Sequence, residues 1–284
     1  AHPSTAAVYG QVTADAIIIL LVFGWATVLL RLWVRLRLTK SPGWDDATIV
    51  LTLFLFTSYS AFILVIIARA RELTLATPAA VMQTLLYVQL GEVFYILTTT
   101  ALKISLGLFF MRVLTKRWQT NIFRTILVVS AVYGSFYVCI VAFQCGSPNK
   151  LALGLLGSKK CLPPKLIFST GLLYGIINVI ADWTFVLIPI WILIESDMDR
   201  QCKISVSMVM ALGAIGSVSS ILRMAYLKGL HLRGGIISAV KATLWATAEP
   251  GTGIIAASIA ILRPLFRNIK SGVRDKLSAH SASK

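Results

Sequence analysis

Five charged side chains sit where charge is expensive. Glu92, Lys103, Asp182, Arg223 and Glu249 all fall inside long apolar stretches of the chain. A charge near the centre of a bilayer costs roughly 2.5–3.5 kcal/mol or more, so such residues must face other helices or a polar cavity. Glu92 and Lys103 are eleven residues apart, about three turns or ~16 Å, and so share one helical face. Gln89, Tyr95 and Thr99 lie near the same line. Two readings of this stripe stand side by side. One is an ion-pair network that fixes packing. The other is a polar pocket, in which a carboxyl left unpaired would stay protonated and act as a general acid. Asp182, Glu249 and Glu92 are the candidate catalytic groups under that second reading.

The neighbours of these charges fill out the set. Asn178, Asp182, Phe185 and Pro189 share a face of one apolar stretch, and Trp245, Glu249, Thr252 and Gly253 lie together on another. A ligand site built from Glu92, Tyr95, Asn178, Asp182, Arg223, Trp245 and Glu249 is expected, with Arg223 pairing with one or two acids. Depth counting puts Glu92, Arg223 and Glu249 in the outer half and Asp182 near the midplane. It puts Lys103 in the inner half, nearer Asp45 and Asp46. Lys103, Asp45 and Asp46 are read as structural: a pairing or snorkelling lysine, and acids that cap a helix start and complement its dipole.

The elements that must hold these groups are helices. The 284 residues are 57% hydrophobic and 13% charged, and apolar runs near 20 residues recur throughout. That excludes a soluble domain and implies an all-α, polytopic seven-helix bundle. The spans are expected at about Ala14–Trp33, Ala47–Ala68, Val81–Leu114, Ile122–Phe143, Leu166–Ile194, Ile204–Leu227 and Ala242–Leu262. Arg31, Arg35, Arg37 and Lys40 follow the first span, with stems long enough to snorkel to headgroups. Gly213, Gly216, Ser217 and Ser220, and then Gly253, Ala256, Ala257 and Ala260, have small-xxx-small spacing that lets helices pack closely.

The net charge of +16 reflects loop sorting, with no nucleic-acid partner implied. With the N-terminus outside, inner segments hold sixteen Lys and Arg and outer segments nine, which favours that orientation and a cytoplasmic C-terminus. Residues 1–266 read as one membrane domain and 267–284 as a basic, Ser-rich cytoplasmic tail. The orientation also places Cys145 and Cys161 in one outer loop, where disulfides persist, so they are predicted to pair. Cys139 and Cys202 are expected as free thiols. His2, His231 and His280 all lie in loops or tails, so no metal site is expected. No phosphate-binding loop or hydrolase motif appears in a credible context. Lys241 lies at the mouth of the last span, whose centre has no lysine for a retinal Schiff base. No cofactor is expected.

Taken together, several segments resemble the fungal rhodopsin-domain integral membrane proteins. Gly43-Trp44-Asp45-Asp46 resembles their glycine-x-Asp-Asp entry to helix two. Leu102-Lys103-Ile104-Ser105 followed by Arg112 resembles their helix-three signature. Cys145 and Cys161 match their loop cysteines, Asp182 with Ile188-Pro189 their helix-five element, and Arg223 and Glu249 their helix-six arginine and helix-seven glutamate. The resemblance covers about residues 14–266. It implies a receptor-like bundle without retinal, in a family some of whose members are encoded beside secondary-metabolite genes. The chain departs from the pattern at Ile67-Ala68-Arg69-Ala70-Arg71, where members often carry Gly-x-Gly-x-His. The expectation is a multi-pass protein of the plasma membrane or endoplasmic reticulum. Its partners would be the lipid bilayer, a small lipophilic ligand and, through the inner face, a cytoplasmic protein. The rival expectation is an intramembrane isomerase or cyclase acting on a lipophilic intermediate.

Overall fold

A computed structural model describes residues 5–38, 40, 43–71, 78–113, 116–146, 161–195, 211, 214–223, 225 and 235–261. Among them the structure is helical, with no strand. The helices are α1 (Thr5–Trp33), which runs on into a π-helical turn at Val34–Leu38, α2 (Trp44–Arg71), α3 (Pro78–Val113) and α4 (Arg117–Phe143). They continue with α5 (Pro164–Glu195), a stretch at 214–223 that we call α6, and α7 (Gly235–Ile261). Five of them, α1 to α5, are long and apolar enough to cross a membrane. The expected seven-helix, multi-pass architecture holds. The tail 267–284, Cys202 and Gly213 lie outside the described residues.

Element boundaries follow local chemistry. Pro78 and Pro164 open α3 and α5, where a missing N–H costs nothing. Two helices start earlier than the polar residues suggest. α1 begins at Thr5, and the buried Thr13 returns its hydroxyl to the Tyr9 carbonyl at 2.8 Å. α7 begins at Gly235, so part of the expected Lys228–Lys241 loop is helical, and Lys241 lies 4.8 Å over the Tyr9 ring.

The packing is inside-out relative to a soluble fold. Val22, Phe23, Val132, Ile180 and Trp191 are exposed on the outer surface, while Thr52, Ser60, Thr98, Thr99 and Ser258 are buried. Lipid tolerates the former, and the helices hide the latter. α3 packs on α2, α4 and α7, and α1 closes against α7 and α2. The main core joins Phe56, Tyr59, Tyr95, Leu102, Tyr137 and Ile254, and a second cluster stacks Phe123 and Phe185 against Phe110. Small residues set the closest approaches. A Cβ at Gly253 would stand 2.6 Å from Leu102 Cδ2, so the glycine lets that leucine tip lie against α7.

Cys145 and Cys161 form a disulfide across 16 positions. It ties the end of α4 to the start of α5, and the Leu162 amide reinforces it by donating to the Gln144 carbonyl at 2.7 Å. Gly146 takes the turn after Cys145 with φ 79°, a conformation that suits glycine. Closing a loop of this length is worth about 3 kcal/mol on chain-entropy grounds. Replacing both cysteines with serine should therefore lower the unfolding midpoint in detergent, and reducing agent should lower wild type equally and leave the double variant unchanged. Cys139 is a free, exposed cysteine.

Candidate functional site

α3 distributes one polar face among its neighbours. Gln89 Oε1 accepts from Gln144 Nε2 at 3.0 Å, and Glu92 Oε1 from the Tyr137 hydroxyl at 3.1 Å, both at the α4 side. The Tyr95 hydroxyl donates to Glu249 Oε2 on α7 at 2.7 Å. Thr99 bonds the Tyr174 hydroxyl on α5. Lys103 Nζ stands 2.9 Å from Asp182 Oδ1, also on α5. Ser105, on the same helix, donates to the Asp45 carbonyl of α2 at 3.0 Å.

Two of these contacts belong to a larger cluster. Asn178 Nδ2 donates to Glu249 Oε1, so both oxygens of that carboxyl accept from side-chain donors. Asn178 also reaches Ser220 at 3.3 Å, and Ser220 donates to Asp182 Oδ2 at 2.8 Å. The chain Tyr95–Glu249–Asn178–Ser220–Asp182–Lys103 thus crosses α3, α5, α6 and α7 without a break. Tyr95, Lys103, Asn178, Ser220 and Glu249 are all buried. α6 comes close enough because residue 216 is glycine, whose Cβ would meet Thr252 and the Glu249 carbonyl.

Arg223 departs from expectation. It makes no ion pair with an acid among the described residues. Its guanidinium lies 4.6 Å over the Tyr95 ring, and its buried Nε has no hydrogen-bond partner among those residues. Tyr95 thus gives its hydroxyl proton to Glu249 and its ring face to the arginine. Such stacking is worth about 2 kcal/mol or more once desolvated.

Lys103 departs as well. Depth counting sets it nearer Asp45 and Asp46, yet its partner is Asp182. The two aspartates are taken by arginines. Arg31 donates through Nη2 to Asp45 and through Nε to Asp46, both at 2.8 Å, and through Nη1 to the Ala257 carbonyl of α7 at 3.1 Å. Arg35 adds a 3.4 Å contact to Asp45. Arg31 is 1% exposed, so it does not snorkel. The expected capping role is visible in the bond from the Gly43 amide to Asp46 Oδ2 at 3.1 Å.

The expected residues are therefore only partly gathered. Tyr95, Asn178, Asp182 and Glu249 meet, with Arg223 beside them. Glu92 is bonded instead to Tyr137, and Trp245 is half-buried with no hydrogen bond or ring contact to the cluster among the described residues. Sequence reasoning misses Tyr174, Tyr137 and Gln144. Tyr174 was within reach, since Tyr174, Asn178 and Asp182 are spaced four apart on one face. No group of three metal-ligating side chains occurs among the described residues.

Chemically, the cluster is an array of matched donors and acceptors. Asp182 and Glu249 are each ringed by side-chain donors, and Arg223 holds an unspent donor at the edge. Compared with known proteins, residues 30–268 match the model of the fungal rhodopsin domain. No curated protein and no solved structure matches the chain.

Proposed function

The chain belongs to the fungal rhodopsin domain family, and from that premise we propose that it is a receptor-like membrane protein that takes a small, partly apolar molecule beside the polar cluster. One observation carries this reading: the buried Nε of Arg223, held over Tyr95, has no acceptor among the described residues. An unmet buried donor costs about 1–3 kcal/mol, more when charged. A ligand bringing a carbonyl or ether oxygen would remove that cost, while its apolar body packs against the bundle. Tyr95, Asn178, Asp182 and Glu249 would shape and orient the contact. Glu92 and Trp245 stay in the proposed lining. The N-terminus is taken as outside, consistent with a disulfide in an oxidising compartment, and residues 267–284 as a cytoplasmic tail open to a protein partner.

The intramembrane isomerase or cyclase is the second reading. Its favouring feature is the proximity of Asp182 and Glu249, bridged by Asn178. Their oxygens are already occupied by Tyr95, Asn178, Ser220 and Lys103, which leaves less room for a reacting group than the unmet donor of Arg223 offers a ligand.

Both readings meet in one experiment. Protein in lipid nanodiscs is titrated with lipophilic ketones and lactones, with hydrocarbons of matched shape as controls. Oxygen-bearing probes should bind, and Arg223→Gln should weaken them about tenfold or more, as loss of a charged hydrogen bond of ~1.5–3 kcal/mol implies. Equal binding of the hydrocarbons, or indifference to Arg223→Gln, would remove the proposed contact. Conversion of a probe to product, abolished in Asp182→Asn and Glu249→Gln, would select the enzyme.

A further inference from the structure

Hydroxyls on a membrane helix have a default partner, the carbonyl one turn back. This chain uses it repeatedly. Thr98 bonds the Phe94 carbonyl at 2.6 Å, Thr184 that of Ile180 at 2.8 Å, Ser219 that of Ile215 at 2.7 Å and Ser258 that of Ile254 at 2.8 Å. Thr100 and Ser130 do not. The Ser130 hydroxyl oxygen is buried with no hydrogen-bond partner among the described residues, and that of Thr100 is buried with only the Tyr174 hydroxyl near it, outside good hydrogen-bond geometry.

Both line one small cavity between α3, α4 and α5. Lys103, Gly134, Tyr174 and Asn178 also line it. Gly134 makes this junction, since a Cβ there would collide with the Thr100 side chain. The cavity has about 10 Å³ for the centre of a water-sized sphere, which is near the minimum for one water molecule. A water needs two to four polar partners. Thr100 and Ser130 supply two. The Lys103 ammonium, with three protons and one carboxylate partner at 2.9 Å, supplies a third.

We infer that this cavity is a binding site for one structural water, which joins Thr100 and Ser130 to Lys103. The occupant is neutral and small. A cation would sit against the ammonium of Lys103, and the Lys103–Asp182 pair already balances its own charge, leaving no net attraction for chloride. The water extends the polar cluster from α3 and α5 into α4, whose side-chain hydrogen bonds to α3 among the described residues lie at Gln89 and Glu92. The water site is independent of any ligand at Arg223.

Two measurements test it. A crystal structure of the wild-type protein at a resolution that shows ordered solvent should carry one peak within hydrogen-bond distance of Thr100 Oγ1 and Ser130 Oγ. An empty cavity overturns the inference, as does a halide or alkali-metal ion identified by anomalous scattering. The second measurement turns on a sign. Thr100→Val and Ser130→Ala each remove a partner of the water, and the unfolding midpoint should fall. In a dry cavity each would remove an unmet buried hydroxyl instead, and the midpoint should rise.

Discussion

Arg31→Met is expected to be among the most destabilising single substitutions in the bundle. The fork of Arg31 satisfies Asp45, Asp46 and a carbonyl of α7 at once, and almost none of it is exposed. Methionine would fill much of the volume and remove the cation closest to both buried carboxylates, leaving Arg35 with its longer contacts of 3.4 Å and 3.7 Å. Removing one partner of a buried ionic set typically costs about 3–5 kcal/mol. Lysine should rescue little, because a point charge cannot make the same divergent contacts. Arg31→Met with Asp45→Asn and Asp46→Asn should recover a large part of the loss, since no uncompensated carboxylate then remains. Thermal unfolding in micelles, supported by steric trapping in bicelles, reads all of these. A loss of less than ~0.5 kcal/mol in Arg31→Met, the level of an ordinary surface substitution, would mean that the quartet is solvated and that the α1–α2–α7 junction is held by something else.

The second large effect concerns Lys103. Lys103→Met should destabilise by about 3–5 kcal/mol, because among the described residues Asp182 would keep only Ser220 and Asn178. Asp182→Leu alone should cost a similar amount, by stranding an ammonium. The double variant should be far less destabilised than the sum of the singles, with a coupling of about 0.5–3 kcal/mol or more, since neither charge then lacks its partner. The alternative from the sequence, a lysine snorkelling toward the inner headgroups, predicts a nearly neutral or stabilising Lys103→Met and no coupling. The experiment separates the two without any ligand.

That alternative shows where sequence reasoning runs out. The helices, their apolar spacing, the α3 stripe and the cysteine pair were legible, because each depends on residues near one another in the chain or on a single compartment argument. Depth was not. Counting ~1.5 Å per residue assumes helices upright in the membrane, yet α3 has 36 residues. At that rise it would be about 54 Å long, far beyond the ~30 Å hydrocarbon core. Such a helix tilts or protrudes, and depth counting then sets Lys103 beside the wrong acids. Azimuth was also hidden. Glu92 and Tyr95 are neighbours on one stripe, but one meets α4 and the other α7, and no periodicity says which helix lies across from each. Arg31 and Arg35 are easily misread because a basic pair at the end of a span usually reaches outward. The countersignal was present: arginines one turn apart, then Gly43 and two acids able to fold back on them.

α3 also constrains how the protein can be made. Alone in lipid, it would expose Glu92 and Lys103 to acyl chains at roughly 2.5–3.5 kcal/mol each. Asp182 follows Lys103 by 79 residues, which at ~5–20 residues per second means a delay of about 4–16 s before its partner leaves the ribosome. Over that interval Lys103 has no aspartate to pair with, so the release of α3 into lipid should become more favourable once α5 has been made.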